Sequence, residues 1–219
     1  MTNSQRPHGW SAVWNERSEE RADWNGYEAC FADRAEYEAH VIAIAAFIKS
    51  TLRVGPEDAV IDLGCGTGLI TDEVADRASS VLALDYSEIA LRVAREKRLR
   101  RNVRYEWADL NTIDPTRLRT ANKVYSVGTF LYLDSRDVAF RILDALVESH
   151  IEALLIDLPD ETLLDNRKRN YDTAEYRHLK FAESEFSERY SDANISIYRK
   201  LLPSYVNDAI RFTVHIQPL

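Results

Sequence analysis

Along the chain, the first clear pattern is helical. Tyr37, Val41, Ile44, Ala45, Ile48 and Leu52 recur at three- and four-residue steps, one face of a buried helix that Gly55-Pro56 closes. Beyond it, short apolar runs alternate with helical stripes. Residues 59–63 read as a strand running into a glycine loop, 71–78 as a helix, and 81–84 as a second strand. Ser87 is placed to cap a helix whose apolar face is Ile89, Ala90, Val93 and Ala94. Val103, Tyr105 and Trp107 alternate with polar residues as in a strand, and 124–127 predicts another. Val138, Ile142, Ala145 and Leu146 mark a further helix. Residues 153–158 read as a buried strand stopped by Pro159, and 181–190 as a helix. The chain ends in strands at 195–198 and 212–216, the second alternating cleanly.

Strands that alternate with helices imply a parallel sheet covered on both faces. Ligands of such sheets bind outside the carboxyl ends of the strands, so the segments just after each strand are where chemistry is expected. Upstream, residues 1–9 read as a mobile tail. Residues 10–34 set Trp10, Trp14, Trp24, Tyr27 and Phe31 among many charges, the pattern of one or two amphipathic helices with aromatic anchors. Two readings are open for this stretch: a lid that closes over a ligand, or extra core on the sheet edge. The expected division is an N-terminal tail and helices at 1–54 and a core at 55–219.

Composition narrows the class. The 219 residues are 45% hydrophobic and 29% charged, the balance of a globular protein. A net charge of −8 leans against a nucleic-acid partner, since a chain that tracks phosphates usually carries a basic face. The two cysteines, Cys30 and Cys65, are too few for a disulfide framework or a four-thiolate zinc site. The longest apolar run, 41–48, falls far short of the roughly 20 residues that span a bilayer, and no secretory hydrophobic region opens the chain. A reduced, cytoplasmic protein is expected.

The chemistry-bearing motif follows the first strand: Asp62-Leu63-Gly64-Cys65-Gly66-Thr67-Gly68. Three glycines at alternate positions permit positive φ and let a ligand lie directly on the backbone. A phosphate-cradling P-loop would need Lys-Ser/Thr after Gly68, where Leu69-Ile70 stand; a dinucleotide fingerprint begun at Gly64 would need glycine at Leu69. The pattern instead resembles motif I of the class I S-adenosylmethionine-dependent methyltransferases, small-molecule type. The second strand ends at Asp85, 21 positions after Gly64, a spacing right for a carboxylate that accepts ribose hydroxyls. The plainer role for Asp85 is to favour the start of the next helix.

The resemblance covers roughly residues 55–150 and continues more weakly to the C-terminus. It implies a three-layer Rossmann-like fold: a mostly parallel seven-stranded sheet, an antiparallel last strand and an N-terminal helical lid. It also implies S-adenosylmethionine as cofactor. Asp85 would then bind the ribose and Tyr86 flank the adenine, while Asp109, beside Leu110, would accept from the adenine amino group. Ser126-Val127-Gly128-Thr129 resembles the fourth motif, whose backbone lies beside the methionine moiety. Asp62, Gly64, Cys65, Gly66 and Val127 complete the expected cofactor contacts; for Cys65, a small residue in a tight loop, packing is explanation enough.

The reaction class needs a nucleophile held in line with the methyl and a base only where a proton must leave. The Asn/Asp-Pro-Pro-aromatic motif of amino-methylating nucleic-acid enzymes is absent after the fourth strand, and no cysteine stands there for cytosine C5 chemistry. No His/Cys/carboxylate spacing suits a metal. Among five histidines, His178 lies between the fifth strand and the next helix, beside the expected pocket, and His40 could face it if its helix were a lid. Asp157, Asp160 and Tyr132 follow strands five and four, and Asp157 and Tyr132 join His178 as candidate catalytic groups. Of two basic runs, 92–104 reads as a solvated face. The other, with Arg167, Arg169, Tyr171 and Arg177, would lie near the pocket mouth and suit an anionic acceptor, or be a charged surface loop. The expected activity is methylation of an oxygen or nitrogen of a small, anionic metabolite. A protein or RNA acceptor, or a non-catalytic cofactor-binding module, stands as the alternative.

Overall fold

The computed structural model describes residues 10, 13–16, 31, 33–163, 177–201, 205 and 207–219. Seven strands form one sheet: β1 (Ala59–Leu63), β2 (Ser80–Asp85), β3 (Val103–Trp107), β4 (Lys123–Val127), β5 (Glu152–Pro159), β6 (Ala193–Tyr198) and β7 (Arg211–Pro218). Their order is β3-β2-β1-β4-β5-β7-β6. The first five run parallel, and β7 lies antiparallel to both β5 and β6. The expected Rossmann-like arrangement with an antiparallel last strand is therefore present. Strand order reverses between β1 and β4, and the crevice at such a switch point is where ligands bind in open α/β sheets.

Among the described residues, the helices that surround the sheet are α1 (Arg34–Thr51), α2 (Leu69–Val74), α3 (Glu88–Lys97), α4 (Arg136–Glu148) and α5 (Glu183–Arg189). Three start on side-chain caps: Asp33, Ser87 and Ser135 accept from the backbone N–H of Glu36, Ala90 and Val138. Alternation along β1 sorts the core. Val60 joins Ile44, Ile48, Leu52, Val74 and Tyr125 on the α1–α2 face, whereas Ile61 and Leu63 join Phe130, Ile142, Leu146 and Val214 on the α4 face. Among the described residues no helix is long and apolar enough to cross a membrane.

Three expectations need correcting. The first glycine-following helix is shorter than 71–78, because residues 75–79 turn into β2. Trp107 does not continue the buried face of β3; it is 50% exposed at the end of an edge strand, with its Nε1 donating to Tyr86 O at 2.8 Å. Alternation in 212–216 does not mark a solvent face. β7 is an interior strand, so Thr213 and His215 are buried as well, His215 Nε2 lying 2.8 Å from Glu152 Oε1.

Candidate functional site

A cleft opens at the carboxyl ends of β1, β2, β3 and β4. Its floor is backbone. Gly64, Gly66 and Gly128, all with positive φ, line it. At Gly64 the conformation has a second cause: a Cβ there would lie 2.0 Å from Thr129 Oγ1, so the loops after β1 and β4 touch only because the side chain is absent. The N–H groups of Gly64 and Cys65 both donate to Leu84 O, at 2.8 and 3.0 Å, which fastens the glycine loop to the end of β2.

Asp85 stands where these loops meet. Its Oδ2 accepts from Gly66 N and its Oδ1 from Ser87 N, each at 2.8 Å. Burial pushes its carboxyl above the usual range, while these backbone N–H groups pull the other way. The wall beside it is apolar: Ala90, Ala108, Leu110 and Val127.

The far wall is aromatic and comes partly from the N-terminal segment. Trp14 and Tyr132 line the cleft, with ring centroids 5.2 Å apart. Trp10 meets Tyr132 edge-on at 4.7 Å and stacks on His178 at 4.9 Å. The segment is fastened by polar bonds as well. Tyr86 Oη donates to Trp10 O at 3.2 Å, Ser87 Oγ to Asn15 Oδ1 at 2.7 Å, and Trp10 Nε1 to Arg177 O at 3.3 Å. His178 reaches this cluster because Leu179 N donates to Leu131 O at 2.9 Å.

Residues 60–149 match the family described as a methyltransferase domain. The matched stretch runs from β1 through α4. The chain is 44% identical over 54 residues to a probable cobalt-precorrin-6B C(15)-methyltransferase (decarboxylating) of Methanobrevibacter smithii, covering 25% of this chain and 29% of that protein. It is 30% identical over 115 residues to the protein of the same name in Methanococcus maripaludis, covering 52% and 60%. It thus spans less than two thirds of the length of these curated relatives. Among solved structures, magnesium protoporphyrin IX methyltransferase of Synechocystis PCC 6803 with bound S-adenosylmethionine superposes with a TM-score of 0.63, 9% identity and 99% and 100% coverage. The DhpI complex with S-adenosylhomocysteine gives 0.61, 21% identity and 96% and 98% coverage. These two share the fold.

Within the cleft stand six of the expected cofactor residues, Gly64, Gly66, Asp85, Tyr86, Leu110 and Val127, together with Tyr132. Others lie off it. Asp62 points to the α1–α2 face, where its Oδ2 accepts from Thr71 Oγ1 at 2.6 Å and Tyr125 Oη at 2.8 Å; burial lifts its pKa to about 7. Cys65 packs against the cluster of Ala83, Leu91, Ala94 and Tyr105, and burial raises its thiol. Asp109 folds back on its own loop, its Oδ1 accepting from Asn111 N at 2.9 Å, while its neighbours Ala108 and Leu110 face the cleft.

Asp157 is turned away by a bulge between Leu155 and Leu158 and a φ of +70°, and its Oδ2 accepts from Tyr205 Oη at 3.0 Å. Asp160 is buried against Arg199 and Thr162. His40 is no lid residue: it is buried between Phe31 and Tyr205, which lowers its pKa to about 4. Arg177 is exposed, touching the cluster through its carbonyl; Arg167, Arg169 and Tyr171 lie outside the described residues. The sequence reading missed Ala90, Ala108 and Thr129 as cleft residues, and gave Ser87 only a capping role. Ala90 was readable, since it lies one helical turn after that cap.

Proposed function

We propose that this chain transfers a methyl group from S-adenosylmethionine to an oxygen or nitrogen of a small metabolite. The observation that carries the reading is Asp85. A carboxylate has about four acceptor positions. Backbone N–H groups take one on each oxygen, which fixes the group while leaving acceptor capacity on both atoms at the cleft. That suits a pair of ribose hydroxyls.

When bound, the cofactor supplies the electrophile, a methyl on a sulfonium. The protein's part is placement. Tyr86 would flank the adenine, with Ala108 and Leu110 as its apolar bed. The backbone of Gly64, Gly66 and Gly128 would hold the methionine half. Trp14 would cover the ligand and exclude water. Tyr132 and His178 stand at the acceptor side, and His178 is the group that would take a proton from a hydroxyl or ammonium nucleophile. Asp62, Cys65 and Asp109 support these loops rather than touch the ligand. An acidic chain in a reducing cytoplasm fits an acceptor that is a metabolite rather than a polyanion.

A screen of metabolite extracts with isotopically labelled methyl donor tests the proposal. A small product labelled at oxygen or nitrogen supports it. A product labelled at carbon, in line with the names of the curated relatives, would correct the acceptor atom. Label only in protein or RNA, or none at all, would overturn the acceptor class.

A further inference from the structure

Arg136 is the first residue of α4, where the helix dipole favours anions and disfavours a cation. Its side chain leaves the helix and grips another segment. Nε and Nη2 both donate to Lys180 O, at 2.9 and 2.6 Å. Nη1 donates to Glu185 Oε1 at 2.9 Å, and Nη2 also to Glu161 Oε2. Glu185 extends the grip, since its Oε2 accepts from Ala182 N at 2.7 Å. The guanidinium carbon stands 5.9 Å from the centre of the Phe181 ring. A lysine ammonium is a point charge without this planar fork.

The gripped segment carries His178. Its downstream anchor is Phe181, a buried side chain whose N–H donates to Pro159 O at 2.8 Å and whose carbonyl accepts from Glu161 N at 3.0 Å. Leu179 and Lys180 lie between that anchor and His178. Leu179 N donates to Leu131 O at 2.9 Å, beside Tyr132, and Lys180 O takes the Arg136 fork. His178 then meets Tyr132 edge-on at 5.0 Å and stacks on Trp10 at 4.9 Å. Charge-assisted hydrogen bonds are roughly twice as strong as neutral ones, so the doubled bond on Lys180 O is the strongest tie in this stretch.

We infer that Arg136 is a positioning residue for His178. It fixes the backbone two residues further on, and so holds the imidazole against Trp10 and Tyr132. That this imidazole serves a methyl acceptor rests on the methyltransferase reading; that Arg136 places it does not. The helix dipole works against a cation at this position, and the fork on Lys180 O, with its two carboxylate partners, is what offsets that cost. A general base acts only within hydrogen-bond reach of the proton it takes, so a small displacement of this segment would remove His178 from use.

Carbon–proton NMR of the full chain, read at the His178 imidazole, tests the inference without an acceptor. Rings displace the resonances of a group packed against them, so His178 should resonate away from the position of an exposed histidine; its signal is assigned by its loss in His178→Gln. Arg136→Lys keeps the charge but not the fork, and should move the His178 signal toward the exposed position. Arg189→Lys is the control: this guanidinium binds Asp144 and does not touch the segment, so the signal should stay in place. Affinity for S-adenosylhomocysteine, measured by calorimetry, should remain within about twofold of wild type in Arg136→Lys. Should that variant not fold, Arg136→Gln, which keeps amide donors without the charge, takes its place and is read in the same way. An unmoved His178 signal in the Arg136 variant, or an equal displacement in Arg189→Lys, would overturn the inference. A wild type that binds no S-adenosylhomocysteine, with the His178 response intact, would instead sink the cofactor reading and leave the link from Arg136 to His178 standing.

Discussion

The carboxyl edge of the sheet has two halves built in different ways. At β1, β2, β3 and β4 the cleft is made mainly of backbone: glycines with positive φ, and a carboxylate held by two main-chain N–H groups. At β5 and β7 the edge is made of charged and phenolic side chains, Asp157, Tyr205 and Arg211, that meet from distant parts of the chain. The first kind has a fixed shape suited to one cofactor. The second depends on side chains and can change with a few substitutions.

The sharpest way to break this contrast is to put a side chain on the backbone half. Gly66 holds a φ of +54° on the cleft floor. Gly66→Val both strains that conformation and fills the floor, so calorimetry should find S-adenosylhomocysteine binding abolished, with the fold checked by circular dichroism. Binding within a few fold of wild type would show that the loop does not carry the cofactor. Asp85→Ala should have the next largest effect, weakening the same ligand by about 1–3 kcal/mol, the cost of leaving polar groups unpaired.

The same contrast explains what could be read in the sequence. Strand and helix order, the glycine loop, Asp85, Tyr86, Leu110 and Val127 were legible because local periodicity and short spacings encode them. Asp62 belongs to the same motif, yet strand alternation sends it to the opposite face, where Tyr125 is its register partner. The orientation of Asp157 was not legible, because the bulge that turns it has no sequence signal. Arg211 gave no hint at all: its partner lies on another strand, and no local pattern links the two. The N-terminal aromatics were visible as anchors, but which face they cover depends on contacts with Tyr86, Tyr132 and His178 far along the chain.

Two buried groups on the α1–α2 face offer a test that is independent of ligand. Burial lifts Asp62 from its ordinary 3.8 to about 7, so across that window the folded state keeps a proton that the unfolded state has released, and stability falls as pH rises. Burial lowers His40 from 6.5 to about 4, so across its window the unfolded state binds the extra proton, and stability rises with pH. The two slopes oppose each other between about pH 4 and 6.5. In urea titrations over that range, Asp62→Asn should expose a rising curve and His40→Leu a falling one. Parallel curves for both variants would contradict the burial assigned to them.

The smallest effect concerns the aromatic wall. Trp14→Ala should weaken S-adenosylhomocysteine by about 0.5–1.5 kcal/mol, the worth of an aromatic contact, mainly through faster release in stopped-flow. No change in the release rate would mean that Trp14 packs on the sheet edge without covering the ligand.

The central claim is that the glycine-loop cleft is an S-adenosylmethionine site anchored by Asp85. Calorimetry of the full chain with S-adenosylhomocysteine, and with NAD as the competing dinucleotide, tests it most directly. One site of micromolar-range affinity for S-adenosylhomocysteine, weakened in Asp85→Ala, is the predicted result; no binding by the folded wild type, or tighter binding of NAD, would contradict it.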